Sequence, residues 1–66
     1  MTTISIFVLS IEEVFDVKVN YIPRIGETII FYDSKGNNII AKVLDVVHEI
    51  KGDKSKYVED IRLTVN

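Results

Sequence analysis

Few side chains in this sequence could do covalent chemistry. There is no cysteine, so no thiolate nucleophile, thiolate zinc site or disulfide is available. The lone histidine, His48, is followed by Glu49, a pairing that in other settings makes a general base with its orienting carboxylate. Here both lie in a run of β-branched residues. Adjacent strand residues point to opposite faces, so the two would not meet, and no serine or threonine is placed beside them as a nucleophile. His48 is therefore expected to be a packed or hydrogen-bonded strand residue. Glu12, Glu13 and Asp16 form an acidic cluster. Paired carboxylates serve glycosidases and divalent-ion sites, but within a deep cleft, and 66 residues enclose little; a solvated face is expected. Neither enzymatic activity nor a cofactor or metal is anticipated.

Residues suited to binding are more numerous. Lys51, Lys54 and Lys56 surround one loop with Asp53 as the single acid, and Lys42 and Arg62 could flank it. Lysines beside exposed aromatics such as Tyr57 or Tyr32 are the usual means of holding single-stranded nucleic acid. The formal net charge of −2 argues against general phosphate-driven binding. Arg24 stands between Pro23 and Gly26 at a rigid corner. It could make a bidentate contact there, or a local salt bridge to Glu27 or Asp45. Tyr21, Tyr32 and Phe31 are the aromatics to place at a groove, with core packing as the alternative for each. Phe7 and Leu9 are apolar residues on the face of their strand opposite the expected core.

The elements that must position these residues are strands. With 47% apolar residues and a positive mean hydropathy the chain is not disordered. At 7.5 kDa it is expected to form one small domain spanning residues 1–66. No apolar run is long enough for a membrane-spanning helix. The first residues lack a basic segment and a small-residue cleavage site, so a signal peptide is not expected. Thr2 to Leu9 predicts a strand with Ile4, Ile6 and Val8 inward. Ser10 to Glu13 suits either a single capped helical turn or a β-turn. Val14 to Tyr21 alternates strictly, with Phe15, Val17, Val19 and Tyr21 on one face. Pro23 and Gly26 punctuate a turn into Thr28–Tyr32, where Ile29 and Phe31 oppose Thr28, Ile30 and Tyr32.

Asp33-Ser34-Lys35-Gly36-Asn37-Asn38 predicts a hairpin turn. Ile39 to Ile50 is long for one regular strand, and its parity slips. Ile39, Ala41 and Val43 share one face, whereas Val46, His48 and Ile50 have the opposite parity. A bulge near Leu44-Asp45 restores one face; a helix is the rival, disfavoured by the β-branched residues. Tyr57 to Val65 completes the set, with Tyr57, Ile61, Leu63 and Val65 inward. Five short antiparallel strands with one bent strand describe an all-β, SH3-like barrel, with an OB-like barrel as second choice. The first strand, uncharged from Met1 to Ser10, is expected at an edge, either covered internally or used in an interface through Phe7 and Leu9.

The run Tyr21-Ile22-Pro23-Arg24-Ile25-Gly26-Glu27-Thr28-Ile29-Ile30, followed after a hairpin by Val43-Leu44-Asp45-Val46-Val47-His48, resembles short uncharacterised proteins of bacteria and their tailed phages. Over residues 17–65 these share a PR-hydrophobic-G-[ED] turn into a strand. The resemblance implies an SH3-like barrel and brings no catalytic residues. Arg24-Ile25-Gly26-Glu27-Thr28-Ile29 is also similar to the R-x-G-E-T-L opening of the carbon storage regulator family of RNA-binding dimers, with Ile40–Leu44 and Ile61–Val65 echoing its later strands. Here the motif lies in mid-chain, and Pro23 stands where that family has a second basic residue. These readings favour a non-enzymatic protein-binding module of the bacterial or infected-host cytoplasm, phage- or mobile-element-encoded. Its expected role is adaptor, virion accessory or inhibitor of a host protein, through a protein partner or self-association. The alternative is a small barrel that binds RNA or single-stranded nucleic acid. No membrane partner is expected.

Overall fold

A computed structural model describes residues 1–52 and 56–66. Among these residues the chain forms five strands: β1 (Thr2–Val8), β2 (Glu13–Val19), β3 (Thr28–Tyr32), β4 (Asn38–Gly52) and β5 (Tyr57–Val65). They join in one sheet in the order β2-β1-β5-β4-β3, curled into a half-barrel. No helix is present among the described residues, and so none is long and apolar enough to cross a membrane.

The alternation in the sequence sets the faces. Ile4, Ile6 and Val8 of β1, Ala41 and Val43 of β4, Ile61, Leu63 and Val65 of β5, and Phe31 of β3 make the buried core. Phe15, Val17 and Val19 of β2, with Ile22, Ile29, Ile39 and Val46, pack against it half-buried. Register aligns these sets: Ile6 sits opposite Phe15 on one side and Leu63 on the other, and Val8 sits beside Val65. Burial of apolar side chains from four strands in one cluster is the main favourable term, at about 1.5–3 kcal/mol for each fully buried large side chain.

The curl depends on β4. It is a single strand of 15 residues, whose first part pairs with β3 and whose later part pairs with β5. The register shifts between Val43 and Asp45, where Val43 faces Val65 and Asp45 faces Thr64. Leu44 is the extra residue, so Val43 and Val46 both turn inward despite their opposite parity. The Asp45 carboxylate accepts the Val46 N–H at 3.0 Å. The bulge thus falls where the slipped parity places it, and the helical alternative is excluded.

Several expectations need correction. The first strand is not an edge: β1 lies between β2 and β5, so its ladder groups are covered internally. The β1–β5 pairing is parallel, whereas the other three are antiparallel. Tyr57, expected inward, is 84% exposed. His48 and Ile50 share Val46's parity but are also exposed. One cause explains all three residues. β1 pairs with β5 only from Ser5–Val8 to Arg62–Val65, so among the described residues the far half of the β4–β5 hairpin runs past the core with no third strand paired to it. This arm contributes to a longest dimension of 42 Å, against 24 and 22 Å across. Tyr21 lies outside β2, which ends at Val19, and is 73% exposed rather than inward. Of the two readings of Ser10 to Glu13 the turn holds: residues 9–12 form a turn, with Glu12 at φ 52°.

Candidate binding surface

β2 and β3 are the two edges of the sheet, and they differ in chemistry. β2 carries Glu13, Asp16 and Lys18, the charges with which natural sheets blunt an edge. β3 reads Thr-Ile-Ile-Phe-Tyr and carries none. Between the edges runs a groove of about 330 Å³, lined by Ile6, Val17, Val19, Tyr21, Ile29 and Phe31 among others. The Phe15 and Phe31 rings meet edge to face across the interior, 5.3 Å between centroids and inclined by 63°. The half-barrel is thus closed on this side by side chains, with no backbone ladder between β2 and β3.

The turn before β3 fixes where that edge lies. The Arg24 N–H donates to the Glu27 carboxylate at 2.5 Å, and the Glu27 N–H donates back to the Arg24 carbonyl at 3.1 Å. The Gly26 N–H reaches the Val43 carbonyl and the Val43 N–H reaches the Glu27 carbonyl, each at 2.8 Å. Gly26 has φ +92°, a conformation that favours glycine. At the other end, the Asp33 carboxylate accepts the N–H groups of Lys35 and Asn37, each at 2.9 Å, and the Asn37 side-chain amide at 3.1 Å. The hydrogen bonds of Asn37, foremost, hold the Asp33 carboxyl below its ordinary pKa by stabilising the ionised form.

On the convex side of this hairpin Ile30 stands directly opposite Ile40. They are 59% and 63% exposed, and Tyr32 beside them is 65% exposed. The convex side of β1, β2 and β5 is more polar: the Ser5 hydroxyl donates to Asp16 at 2.8 Å, and Arg62 pairs with Glu49 at 2.8 Å. The exposed apolar residues of β3 and β4 therefore form a patch on an otherwise mixed surface.

Among the described residues the ion pairs lie on β4 and β5. Glu49 accepts from Lys51 at 3.0 Å as well as from Arg62. The Lys51 ammonium, chiefly, and then Arg62 lower the Glu49 carboxyl below its ordinary pKa, and Glu49 in turn raises Lys51. His48 faces Glu59, not Glu49, with Nδ1 at 3.2 Å from the carboxylate; the two neighbours in sequence do point to opposite faces. A wider hollow of about 610 Å³ beside the arm is lined by Thr3, Ser5, Asp16, Glu49, Asp60 and Arg62 among others. No cluster of three metal-ligating side chains occurs among the described residues.

The residues singled out from sequence scatter over the molecule. Tyr21 lines the groove, and Tyr32 belongs to the convex patch. Arg24 borders a separate hollow with Ile22, Ile25, Val46 and His48. Its tie to Glu27 runs through its backbone N–H, and among the described residues no ion pair includes its guanidinium. Phe7 is half-buried on the convex face beside Val14, Val47 and Thr64, and Leu9 lies past the end of β1, 43% exposed. Lys51 pairs with Glu49, Lys56 is exposed at the foot of β5, and Lys54 lies outside the described residues. Ile30 and Ile40 were not among the sequence candidates. Their signal was the apolar residues on both faces of Thr28–Tyr32, a pattern that a strand with one solvated face does not need. No protein-family model matches the sequence, and no curated protein or solved structure matches the chain.

Proposed function

We propose that this chain is a non-enzymatic protein-binding module that engages its partner through the β3 side of the half-barrel. One observation carries the reading: an uncharged open edge adjoins an exposed apolar row of Ile30, Ile40 and Tyr32. Exposed strand edges recruit extended segments through main-chain hydrogen bonds, and neighbouring side chains select among them. Tyr21 at the mouth of the groove adds an aromatic with a polar end, a residue type favoured in interfaces. An adaptor, virion accessory or inhibitor of a host protein, in the bacterial or infected-host cytoplasm implied by the resemblance of the Pro23–Glu27 turn, would use such a surface. The arm supports nucleic-acid binding less well, because Glu49 already pairs with both Lys51 and Arg62.

Affinity capture from expressing cells tests this, with wild-type and Ile30→Lys baits compared by quantitative mass spectrometry. The expected result is a protein held by the wild type and lost from the variant. A parallel titration with single-stranded RNA and DNA supplies the opposing outcome. Salt-dependent micromolar binding with no Ile30-dependent protein would overturn the proposal.

A further inference from the structure

The hydrogen-bond parity of β3 specifies what its edge can accept. The Asp33 N–H bonds to the Asn37 carbonyl and the Glu27 carbonyl accepts from Val43. In the antiparallel register that pairs Thr28 with Lys42 and Tyr32 with Asn38, the odd-numbered residues of β3 therefore bond to β4. The N–H and C=O groups of Thr28, Ile30 and Tyr32 point away from the sheet. Among the described residues β3 pairs with no strand but β4, so no ladder bond takes them. The outward groups are thus spaced symmetrically about Ile30.

We infer that β3 pairs with β3 of a second copy of this chain, antiparallel about a two-fold axis at Ile30. The inference rests on the reading that the β3 side binds protein, and it names the partner. In this register Ile30 exchanges both hydrogen bonds with Ile30 of the other copy, and Thr28 exchanges both with Tyr32. Every outward donor and acceptor of the strand is then satisfied, with about six bonds in all. At about one bond per 100–200 Å², this corresponds to roughly 600–1,200 Å², the low end for a specific interface. The dimer therefore forms reversibly, in a concentration-dependent way.

Two further features fit a second copy, and one opposes it. The edge has no charge to set against itself, whereas β2 with Glu13, Asp16 and Lys18 is poorly suited to pairing. The flanking carboxylates would fall opposite each other, Glu27 against Asp33, and like charges so placed weaken the pairing, so the dimer should tighten as salt rises. The convex row Ile40-Ile30 would continue into Ile30 and Ile40 of the other copy, so that β-branched cross-strand neighbours cover one another. That gives a role to two exposed isoleucines set opposite each other at the open edge of a convex face that elsewhere mixes Ser5, Asp16 and Arg62 with Phe7, Val14 and Val47.

Sedimentation velocity of the wild-type chain, from on the order of 1 μM to 1 mM, is expected to show mass rising from 7.5 kDa toward twice that value. Ile30→Lys, which sets two ammonium groups side by side at the axis, should hold the monomer over the same range with an unchanged far-UV spectrum. A second variant reads the register directly. The chain has no cysteine, and paired residues at the axis have Cα atoms about 5.5 Å apart, within disulfide range. Ile30→Cys should therefore oxidise to a covalent dimer, whereas Val14→Cys, at similar exposure on β2, should not. A wild type monomeric throughout, an Ile30→Lys dimer, or equal cross-linking of both cysteine variants would overturn the inference. If the wild type is monomeric while the Ile30-dependent capture of another protein persists, the second copy is wrong and the binding surface stands. If the capture fails as well, both fall.

Discussion

Replacing Gly26 by alanine isolates one term of the folding energy. Gly26 has φ +92°, and a Cβ built on it meets no atom within 4 Å. Steric conflict with the surroundings is therefore absent, and the whole cost comes from forcing an L-residue into a backbone region it avoids, about 1–2 kcal/mol. The position is demanding because the Gly26 N–H is bonded to Val43 at 2.8 Å, at the start of the β4 bulge, so the turn cannot relax without losing that bond. In a domain of this size a cost of 1 kcal/mol lowers the melting temperature by about 4–8 °C. Gly26→Ala should thus melt about 4–16 °C below the wild type when followed by circular dichroism. Gly26→Asn should fall between the two, since asparagine tolerates positive φ better. An unchanged melting temperature for Gly26→Ala would refute the reasoning. So would an equal loss for alanine and asparagine, because the cost would then track the added side chain rather than its conformational preference.

Leu63, fully buried at the centre of the sheet, should cost about 2–5 kcal/mol when cut to alanine; denaturant titration should show most of the native baseline lost. Glu49→Gln should lower the neutral-pH melting temperature only slightly, because the Glu49 pairs are solvent-exposed and screened. Its signature is the loss of that small difference in acid. The Glu49 pKa is depressed in the folded chain, so its contribution is present above the unfolded carboxylate pKa and fades as pH falls through the folded one. The difference in melting temperature between wild type and Glu49→Gln should shrink toward zero across that interval, and a difference that grows on acidification would contradict the assigned pairs. Tyr57→Ser, at a position 84% exposed, should change stability by no more than about 0.5 kcal/mol, measured by the same titration.

Parity explains both what was legible in the sequence and what was not. Strand faces follow from alternation alone, so Ile4-Ile6-Val8 and Ile61-Leu63-Val65 were readable as core, and so was the slip that becomes the Leu44 bulge. Parity assigns a residue to a face without saying whether anything lies opposite that face. Tyr57, His48 and Ile50 are on the concave side by parity and exposed, because the β1–β5 pairing stops at Ser5 and Arg62, short of them. Strand order was illegible for the same reason. Nothing local in Thr2–Val8 shows that its neighbour is the last strand rather than water, and an uncharged strand reads alike in the middle of a sheet and at an open edge. The candidate surface was legible in part. Tyr21 and Tyr32 stand on or beside it, but Ile30 and Ile40 gain meaning only when the hairpin register sets them side by side.

The parallel pairing of β1 with β5 also governs how fast the native state can be reached. It joins Ser5 to Arg62 and Val8 to Val65, so the central seam of the sheet closes a loop of nearly the whole chain. The entropy of that closure must be met before the seam contributes anything, and domains dominated by such distant pairings fold in milliseconds to seconds rather than microseconds. On the ribosome the consequence is stricter. Ile61, Leu63 and Val65 supply the centre of the core, and until they have left the exit tunnel β1 has only β2 to pair with. The β1–β2 hairpin must wait with Ile4, Ile6 and Val8 uncovered, so synthesis, rather than search, sets the earliest moment at which this protein can be native.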